Sequence, residues 1–506
     1  MTITNLKQML EETAKRYGGK TAVVLGERRL SYAELDEASN KIANALIKMG
    51  VGRGERVIIL LTDTPEFIIT FFGVVKSGGT TVRLNPKSKV EELASFIDDC
   101  QPRVLVTEST VLETLMPALP RFKSIEKVID ISSKYHEGQF VSYQEIMTTS
   151  SPQRVEAEPE PGDIADIAYT SGTTGIPKGI VLPHHTLTKG STLAAESFRQ
   201  TDKDVTIMFA LPLYHMFALV IDLLAPFCKG STMVMVPGLS IGALTEAAEK
   251  EKGTILVEVP SIYGLAIETA RKEGVRNDVS SIRLCISAGA PLPIETAKQF
   301  KELYGLNITN LWGTSESPAV FTIQPLDGTG KVGAVGLIQP GLGLRIVDEN
   351  DQKLPRNQAG EILVSGCLMD GYYKNPEATA EVIKDGWYYT GDIGKVDEDG
   401  YVFILGRKKD MIIVSGHNVY PVDVEDVLYT HPKVAEVAVI GVPDKTRGEA
   451  VKAFISLKKG ETATEAEIKK FCRERLVDYK VPREVVFMEA LPKTASGKIR
   501  KQSLRD

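Results

Sequence analysis

Between residues 31 and 107 the chain alternates two patterns without pause, and that alternation leaves it few architectures. "SYAELDEASNKIANALIKM" (31–49) carries Leu35, Ala38, Ile42, Ala45, Leu46 and Met49 at helical spacing, behind a capping box of Ser31 and Glu34. "RVIILL" (56–61) reads as a continuously apolar strand, and "PEFIITFFGVVKSGG" (65–79) as a helix stopped by paired glycines. "TVRLNP" and "RVLVTE" are further short apolar runs. Strands that are apolar at every position must be covered on both faces. The pattern, which continues through much of the first 300 residues, therefore predicts mainly parallel sheets layered with helices.

From about residue 331 the texture changes: "LRIVDENDQKLP", "GEILVSG" and "GYVFIL" are short strands between polar turns. "GRKKDMI" (406–412) is a charged joint between two apolar strands. Beyond it, "VYPVDVEDVLYTHPKVAEVAVIGVP", "AVKAFISLKKG" and "EAEIKKFCRERL" alternate helix and strand. A chain of 506 residues is too long for one core. The expectation is an α/β protein with a large domain over 1–406, whose β-rich subdomain spans about 331–406. A small α+β domain follows over 407–506, with the joint near 406–410.

Composition removes several function classes. A net charge of −6 without a basic stripe gives no footprint for nucleic acid. Five scattered cysteines without a CxxC pair fit a reducing cytosol and argue against a zinc ribbon, and no HExxH occurs. The longest apolar run, "MFALVIDLLAPFC" (216–228), is too short to span a bilayer and is interrupted by Asp222, so a buried helix or strand is expected. The N-terminal stretch carries acids on an amphipathic helical pattern, unlike a signal peptide. A soluble, cytoplasmic protein without a transmembrane segment is expected.

"YTSGTTGIPKG" (169–179) packs hydroxyls, glycines and Lys178 into eleven positions, a composition suited to gripping an oxygen-rich anion. It is not a P-loop, because Gly179 follows Lys178 where Ser or Thr is required. The stretch resembles the phosphate-gripping loop of the acyl-adenylate-forming enzymes, the ANL superfamily of acyl-CoA synthetases, adenylation domains and luciferases. Other segments resemble that family's motifs in the same order: "LPLYHMFAL" (211–219), "SAGAPLP" (287–293), "NLWGTSE" (310–316), "YTGDIG" (389–394), "GRKKDMIIVSGHNVYPVDVE" (406–425) and "LPKTASGKIRK" (491–501). The likeness covers the whole chain, and bacterial fatty-acyl-CoA ligases are the members that "SIRLCISAGA" also resembles.

The resemblance implies a large N-terminal domain of two parallel-rich α/β subdomains plus the β-rich one, closed by a small mobile lid. It implies that Thr170, Ser171, Gly172, Thr173, Thr174 and Lys178 hold the phosphates of ATP. Gly289, Ala290 and Pro291 would wall the adenine, on which Trp312 would stack, with Asn310, Gly313, Thr314 and Ser315 in the same nucleotide segment. Asp392 would accept from the ribose hydroxyls, with Arg407 nearby, and Glu316 would bind Mg²⁺. Ser315 stands where the family has Thr; it keeps the hydroxyl, and Thr314 and Ser317 crowd the same turn. Lys498 would reach the carboxylate and α-phosphate, making Lys498, Glu316, Thr170 and His215 the catalytic set. Lys409 would be the hinge pivot; Ser415, Gly416 and His417 would line the CoA tunnel; His215, Met216, Val259, Tyr263 and Gly313 would line the acyl pocket.

The implied chemistry makes a mixed anhydride of a carboxylic acid with AMP, releasing pyrophosphate, and then passes the acyl group to CoA after the lid rotates. The acyl segments are apolar or small and hold no arginine for a second carboxylate, which disfavours diacids. A medium- to long-chain fatty acid is expected first, and an aryl or alicyclic acid such as a benzoate next. A free-standing enzyme loading a carrier protein is the third alternative. The expected partners are thus small molecules, with peripheral membrane contact for a lipid substrate and a homodimer left open.

Overall fold

A computed structural model of the protein describes residues 3–170, 178–493 and 499–505, with Thr170 described in its backbone alone. The helix Tyr32–Lys48 starts at Ser31, whose hydroxyl accepts from the Glu34 amide while the Glu34 carboxylate accepts from the Ser31 amide. The helix Pro65–Ser77 is buried almost all round and ends at Gly78 with φ 82°. These two helices touch closely because position 73 is glycine: a Cβ there would lie 2.4 Å from Ile42 Cγ2.

Two large sheets carry the N-terminal part. In the first, Arg56–Leu60, Thr80–Arg83, Val104–Thr107, Lys127–Asp130, Phe140–Ser142 and Ile164–Thr170 run parallel. Lys178–Pro183 then turns back antiparallel on Ile164–Thr170, and Gly371–Tyr372 adds to its free edge. The second sheet has a parallel centre of Thr21–Leu25, Thr232–Met235, Val205–Met208, Ile255–Glu258, Leu284–Ser287 and Ile308–Trp312. The short strands expected to stand as a β-rich unit are hydrogen-bonded onto this sheet. Thr322–Ile323 pairs antiparallel with Ile308–Trp312, and Gly336–Ile338, Tyr401–Arg407, Trp387–Val396, Gly360–Ser365 and Gly343–Val347 follow. The turn signals mark the switch from parallel to antiparallel pairing and not a break in the sheet.

The apolar run 216–228 folds as a helix, with a π-helical turn at Leu219–Leu224 that buries Asp222. Among the described residues no helix is long and apolar enough to cross a membrane. The last hundred residues form a sheet of their own, Ile412–Val414, His417–Val419, Val434–Asp444, Gly448–Leu457 and Glu484–Phe487. Its core, which includes Ile412, Val424, Leu428, Val439, Ile455 and Ile468, is distinct from the main one.

Candidate active site

The first sheet delivers the ends of the "YTSGTTGIPKG" stretch, since Thr170 and Lys178 are register partners across the strand pair. Ser171, Gly172, Thr173, Thr174, the Thr170 side chain and Lys498 lie outside the described residues. Tyr372 sits on the edge strand beside Lys178, whose ammonium lies 4.9 Å from the Tyr372 ring centroid. The Tyr372 hydroxyl donates to Glu316 Oε1 at 3.3 Å, and Tyr388 also hydrogen-bonds the Glu316 carboxylate. Burial and the neighbouring carboxylate push both phenols far above their ordinary range, so they remain donors at neutral pH. Two hydroxyls thus orient one half-buried carboxylate. Neither tyrosine stands in a recognised motif; their signal was only two aromatic residues near short strands.

Asp392 lies on the strand Trp387–Val396 opposite Arg407, and the pair closes as an ion pair of 2.9 Å between Arg407 Nε and Asp392 Oδ1. Asp392 Oδ2 accepts from the Trp312 indole N–H at 3.1 Å. Trp312, Asp392, Arg407, Glu316 and the two tyrosines therefore gather around one locus, although they lie on strands far apart in the chain. Trp312 is mostly buried and packs against Phe321 at 5.9 Å, so its indole both orients Asp392 and fills the core. Asn310 precedes it on Ile308–Trp312, with Nδ2 3.4 Å from the Ala334 carbonyl.

The turn after Trp312 resolves which hydroxyls are engaged. Ser317 donates to the Cys367 carbonyl and accepts from the Ala319 amide. Thr314 Oγ1 is buried with no hydrogen-bond partner among the described residues, and Ser315 is half-buried. Gly313 is exposed, yet a Cβ there would meet the Ala319 carbonyl at 2.8 Å. Gly289, with φ 83°, begins the exposed turn after the strand Leu284–Ser287, with Ala290 half-buried and Pro291 exposed. These turns lie past the carboxyl ends of the parallel strands, the position where open α/β sheets bind ligands.

The segment 210–215 is held by three ionisable groups that sequence reasoning missed, the buried Glu258 and Arg83 and the half-buried Asp63. Glu258 accepts from the Ala210 amide at 3.0 Å, Asp63 accepts from the Leu213 amide at 2.8 Å, and Arg83 donates to the Leu213 carbonyl at 2.8 Å. Arg83 is itself paired with Asp166, both fully buried. His215 caps the short helix Met216–Ala218 and is half-buried; Met216, Val259 and Tyr263 are buried. The Tyr263 hydroxyl donates to the Ile286 carbonyl at 2.7 Å.

Burial pushes Glu258 up to about 8 and Asp63 up to about 6, and Asp222 well above the carboxylate range. In the unfolded chain these groups release their protons near their ordinary values. Between pH 4.5 and about 8 the folded state thus retains a proton at Glu258 that the unfolded chain has lost. Stability conferred by protonated Glu258 is full below that window and falls as pH rises through it, by about 1.4 kcal/mol per pH unit for one proton. Glu258→Gln keeps the acceptor for Ala210 and removes the titration. Urea midpoints measured across this range are expected to fall less steeply for Glu258→Gln than for the parent, and equal slopes would contradict the assignment.

The joint expected near 406–410 is a 3-10 turn, Lys408–Asp410, between the strands Tyr401–Arg407 and Ile412–Val414. Lys409 is exposed on it. Arg505, from the far end of the chain, donates to Asp410 at 2.8 Å and lies 3.5 Å from the Lys409 carbonyl. Ser415 (φ 50°) and Gly416 (φ 82°) form the two-residue turn between Val414 and His417, the geometry of a twisted hairpin. His417 is exposed and stacks on Tyr479 at 4.5 Å.

Comparison with known proteins gives the family. The profile of the AMP-binding enzyme family matches residues 10–373, and that of the AMP-binding enzyme C-terminal domain matches 423–498. A long-chain-fatty-acid–CoA ligase of Bacillus subtilis (strain 168) is 33% identical over 528 aligned positions, covering 99% of this chain and 94% of the relative. An anthranilate CoA ligase, AuaEII, solved with anthranoyl-AMP, superposes with a TM-score of 0.93 at 31% identity, covering 99% of this chain and 96% of that one. ATP-bound MatB from Rhodopseudomonas palustris superposes with a TM-score of 0.91, also at 31% identity, covering 100% and 98%. Full-length similarity in sequence and fold, joined to the gathering of Glu316, Asp392, Arg407 and Trp312, places the chain in the AMP-binding enzyme family, the acyl-adenylate-forming superfamily, as an AMP-forming acid–CoA ligase.

Proposed function

We propose that the enzyme activates a medium- to long-chain fatty acid with Mg²⁺ and ATP, releases pyrophosphate, and transfers the acyl group from AMP to free CoA. The observation that carries the nucleotide half is the convergence of Trp312 and Arg407 on the two oxygens of Asp392 beside Glu316. Asp392, held at both oxygens, would accept from the ribose hydroxyls, while the Gly289–Pro291 turn and the Trp312 segment would border the base. Thr314, whose buried hydroxyl has no partner among the described residues, is the better candidate than Ser317 for a phosphate contact.

Glu316 suits Mg²⁺: it is a hard oxygen donor, held in place by Tyr372 and Tyr388. Among the described residues no cluster of three metal-binding side chains occurs. One protein carboxylate, with phosphate and water oxygens completing the shell, is how such sites are commonly built. When bound, the ion would neutralise phosphate charge. The chain's own residues do the rest. The Thr170–Thr174 segment and Lys178 would bind the phosphates, and Lys498 would bring the acid's carboxylate to the α-phosphate. The C-terminal unit, 407–506, would then turn about Lys408–Asp410, bringing Ser415, Gly416 and His417 to the CoA side of the site.

The identity of the acid rests on the apolar character of Met216, Val259 and Tyr263 and on the fatty-acid–CoA ligase relative. An aryl acid is the second reading, favoured by the superposition on the anthranilate CoA ligase. Pyrophosphate release measured with a panel from octanoate to palmitate, plus benzoates, tests the proposal. Strong release with the alkanoates, and thioester only when CoA is present, is expected. Release without CoA consumption would transfer the acceptor role to a carrier protein, and preference for benzoates would overturn the fatty-acid reading.

A further inference from the structure

Beside the expected acyl pocket, several buried oxygens have no hydrogen-bond partner among the described residues. Asp222 is fully buried in the π-helical turn Leu219–Leu224, and neither Oδ1 nor Oδ2 has a hydrogen-bond partner among the described residues. Glu258 is fully buried at the end of the strand Ile255–Glu258. Its Oε1 accepts from Ala210, but its Oε2 is likewise unpartnered. Ser287 is the register partner of Glu258 on the neighbouring parallel strand, is fully buried, and has an unpartnered Oγ.

Side chains at one register of a parallel pair leave the same face of the sheet, so Glu258 and Ser287 stand side by side. They do so at the carboxyl ends of the strands, where ligands of such sheets bind. The π-helical turn packs against the strand Val205–Met208, which leads into Ala210, the amide that Glu258 holds; this brings Asp222 to the same end of the sheet. Burial favours the protonated forms of Asp222, Glu258 and Asp63, with repulsion from the other two adding to the effect at Asp222, and a protonated carboxyl both donates and accepts. Tyr263, also close by, has its hydroxyl committed to the Ile286 carbonyl.

A purely structural account explains only half of this. Glu258 Oε1 secures a backbone amide, but Asp222 bonds none of the described residues, in a run where a leucine would pack without any desolvation cost. Buried polar groups are normally satisfied, and π-helical turns recur at functional sites.

We propose that Asp222, Glu258 and Ser287 form a polar reading point in the acyl pocket, and that the preferred acid carries a hydroxyl or amino group, remote from its carboxyl, that hydrogen-bonds there. The proposal rests on the acid–CoA ligase reading and narrows its substrate class from plain to donor-bearing acids.

Matched pairs of acids test it by pyrophosphate release: alkanoates against the same chain with a hydroxyl walked along it, and benzoate against its amino and hydroxy derivatives. At least one donor position is expected to exceed its parent in kcat/KM by about tenfold or more, the discrimination expected of a site built to bond a donor. In Asp222→Leu that ratio is expected to fall to about one. Where Asp222→Leu does not fold, Ser287→Ala carries the test, with the ratio falling about threefold or more. If every donor-bearing acid equals or trails its parent while the parents turn over well, the proposal is overturned and the ligase reading stands. An unchanged ratio in the folded variants overturns it too. Silence with every acid, substituted or not, defeats the ligase reading itself and the proposal with it.

Discussion

Lys498→Ala is expected to lower acyl-adenylate formation by at least about 10²–10³-fold while leaving thioester formation from supplied acyl-adenylate within a few-fold of the parent. The first half-reaction sets an anionic carboxylate against a polyphosphate, and charge grows on the α-phosphate as the new bond forms. An ammonium fixed at that point stabilises the transition state more than the ground state, which is the condition for raising kcat. The second half-reaction has no such need, because pyrophosphate has left and a thiol attacks a carbonyl. The base of the lysine-bearing segment belongs to the C-terminal unit: Lys493 and Ile499 are bridged, Lys493 pairs with Glu436 at 2.6 Å, and Lys501 pairs with Glu425 at 2.6 Å. Rotation of that unit would therefore carry Lys498 away once adenylation is complete. Pyrophosphate–ATP exchange reads the first step, and thioester yield from synthetic acyl-adenylate reads the second. Equal loss in both would contradict an alternating lid and leave Lys498 a role in folding or general binding. The same logic gives Arg505 a place, since its bond to Asp410 ties the end of the chain to the joint about which the rotation would occur.

Much of this molecule can be read directly from its residues, and the exceptions share a cause. Ser31 and Glu34 announce the helix they cap, and "RVIILL" announces a strand covered on both faces, because each signal is local and each side chain serves the element it lies in. The antiparallel extension of the second sheet was less legible. Whether a short strand starts a new sheet or joins an old one depends on which edge is free, and the edge at Ile308–Trp312 is created by segments far away in the chain. The site divides along the same line. Glu316, Asp392 and Arg407 lie in motifs whose order is visible. Tyr372 and Tyr388 do not, because their role exists only once a two-residue strand pairs with Lys178–Pro183 and sets one phenol against Glu316. Trp312 shows how a side chain can make a contact that its motif does not announce. Its aromatic character is plain in the sequence, but the indole N–H bond to Asp392 depends on a strand some eighty residues on. Asp222 reads as an interruption of an apolar run; only the fold makes it a fully buried acid with no hydrogen-bond partner among the described residues.

Glu316→Gln is the second large effect. The substitution preserves shape and an oxygen that can accept from Tyr372, so the fold and that hydrogen bond should survive. It removes the negative charge, and an amide oxygen is a far weaker ligand for a hard divalent cation than a carboxylate. The expected result is a fall in adenylation kcat of about two orders of magnitude, with the Mg²⁺ concentration for half-maximal rate moved upward by about tenfold or more. Tyr372→Phe should shift the same titration in the same direction by less, because it loosens the carboxylate without discharging it. The ordering matters more than either magnitude. A metal-binding role requires Glu316→Gln to move the Mg²⁺ dependence most, Tyr372→Phe to move it less, and a surface acid paired elsewhere, such as Glu27 with Lys250, to leave it alone. If Glu316→Gln slowed the reaction at an unchanged Mg²⁺ midpoint, the carboxylate would be acting on its neighbours instead. Its closeness to Arg407 and Tyr388 would then point to electrostatic support of the Asp392–Arg407 pair, and ATP affinity in the absence of metal would fall along with the rate.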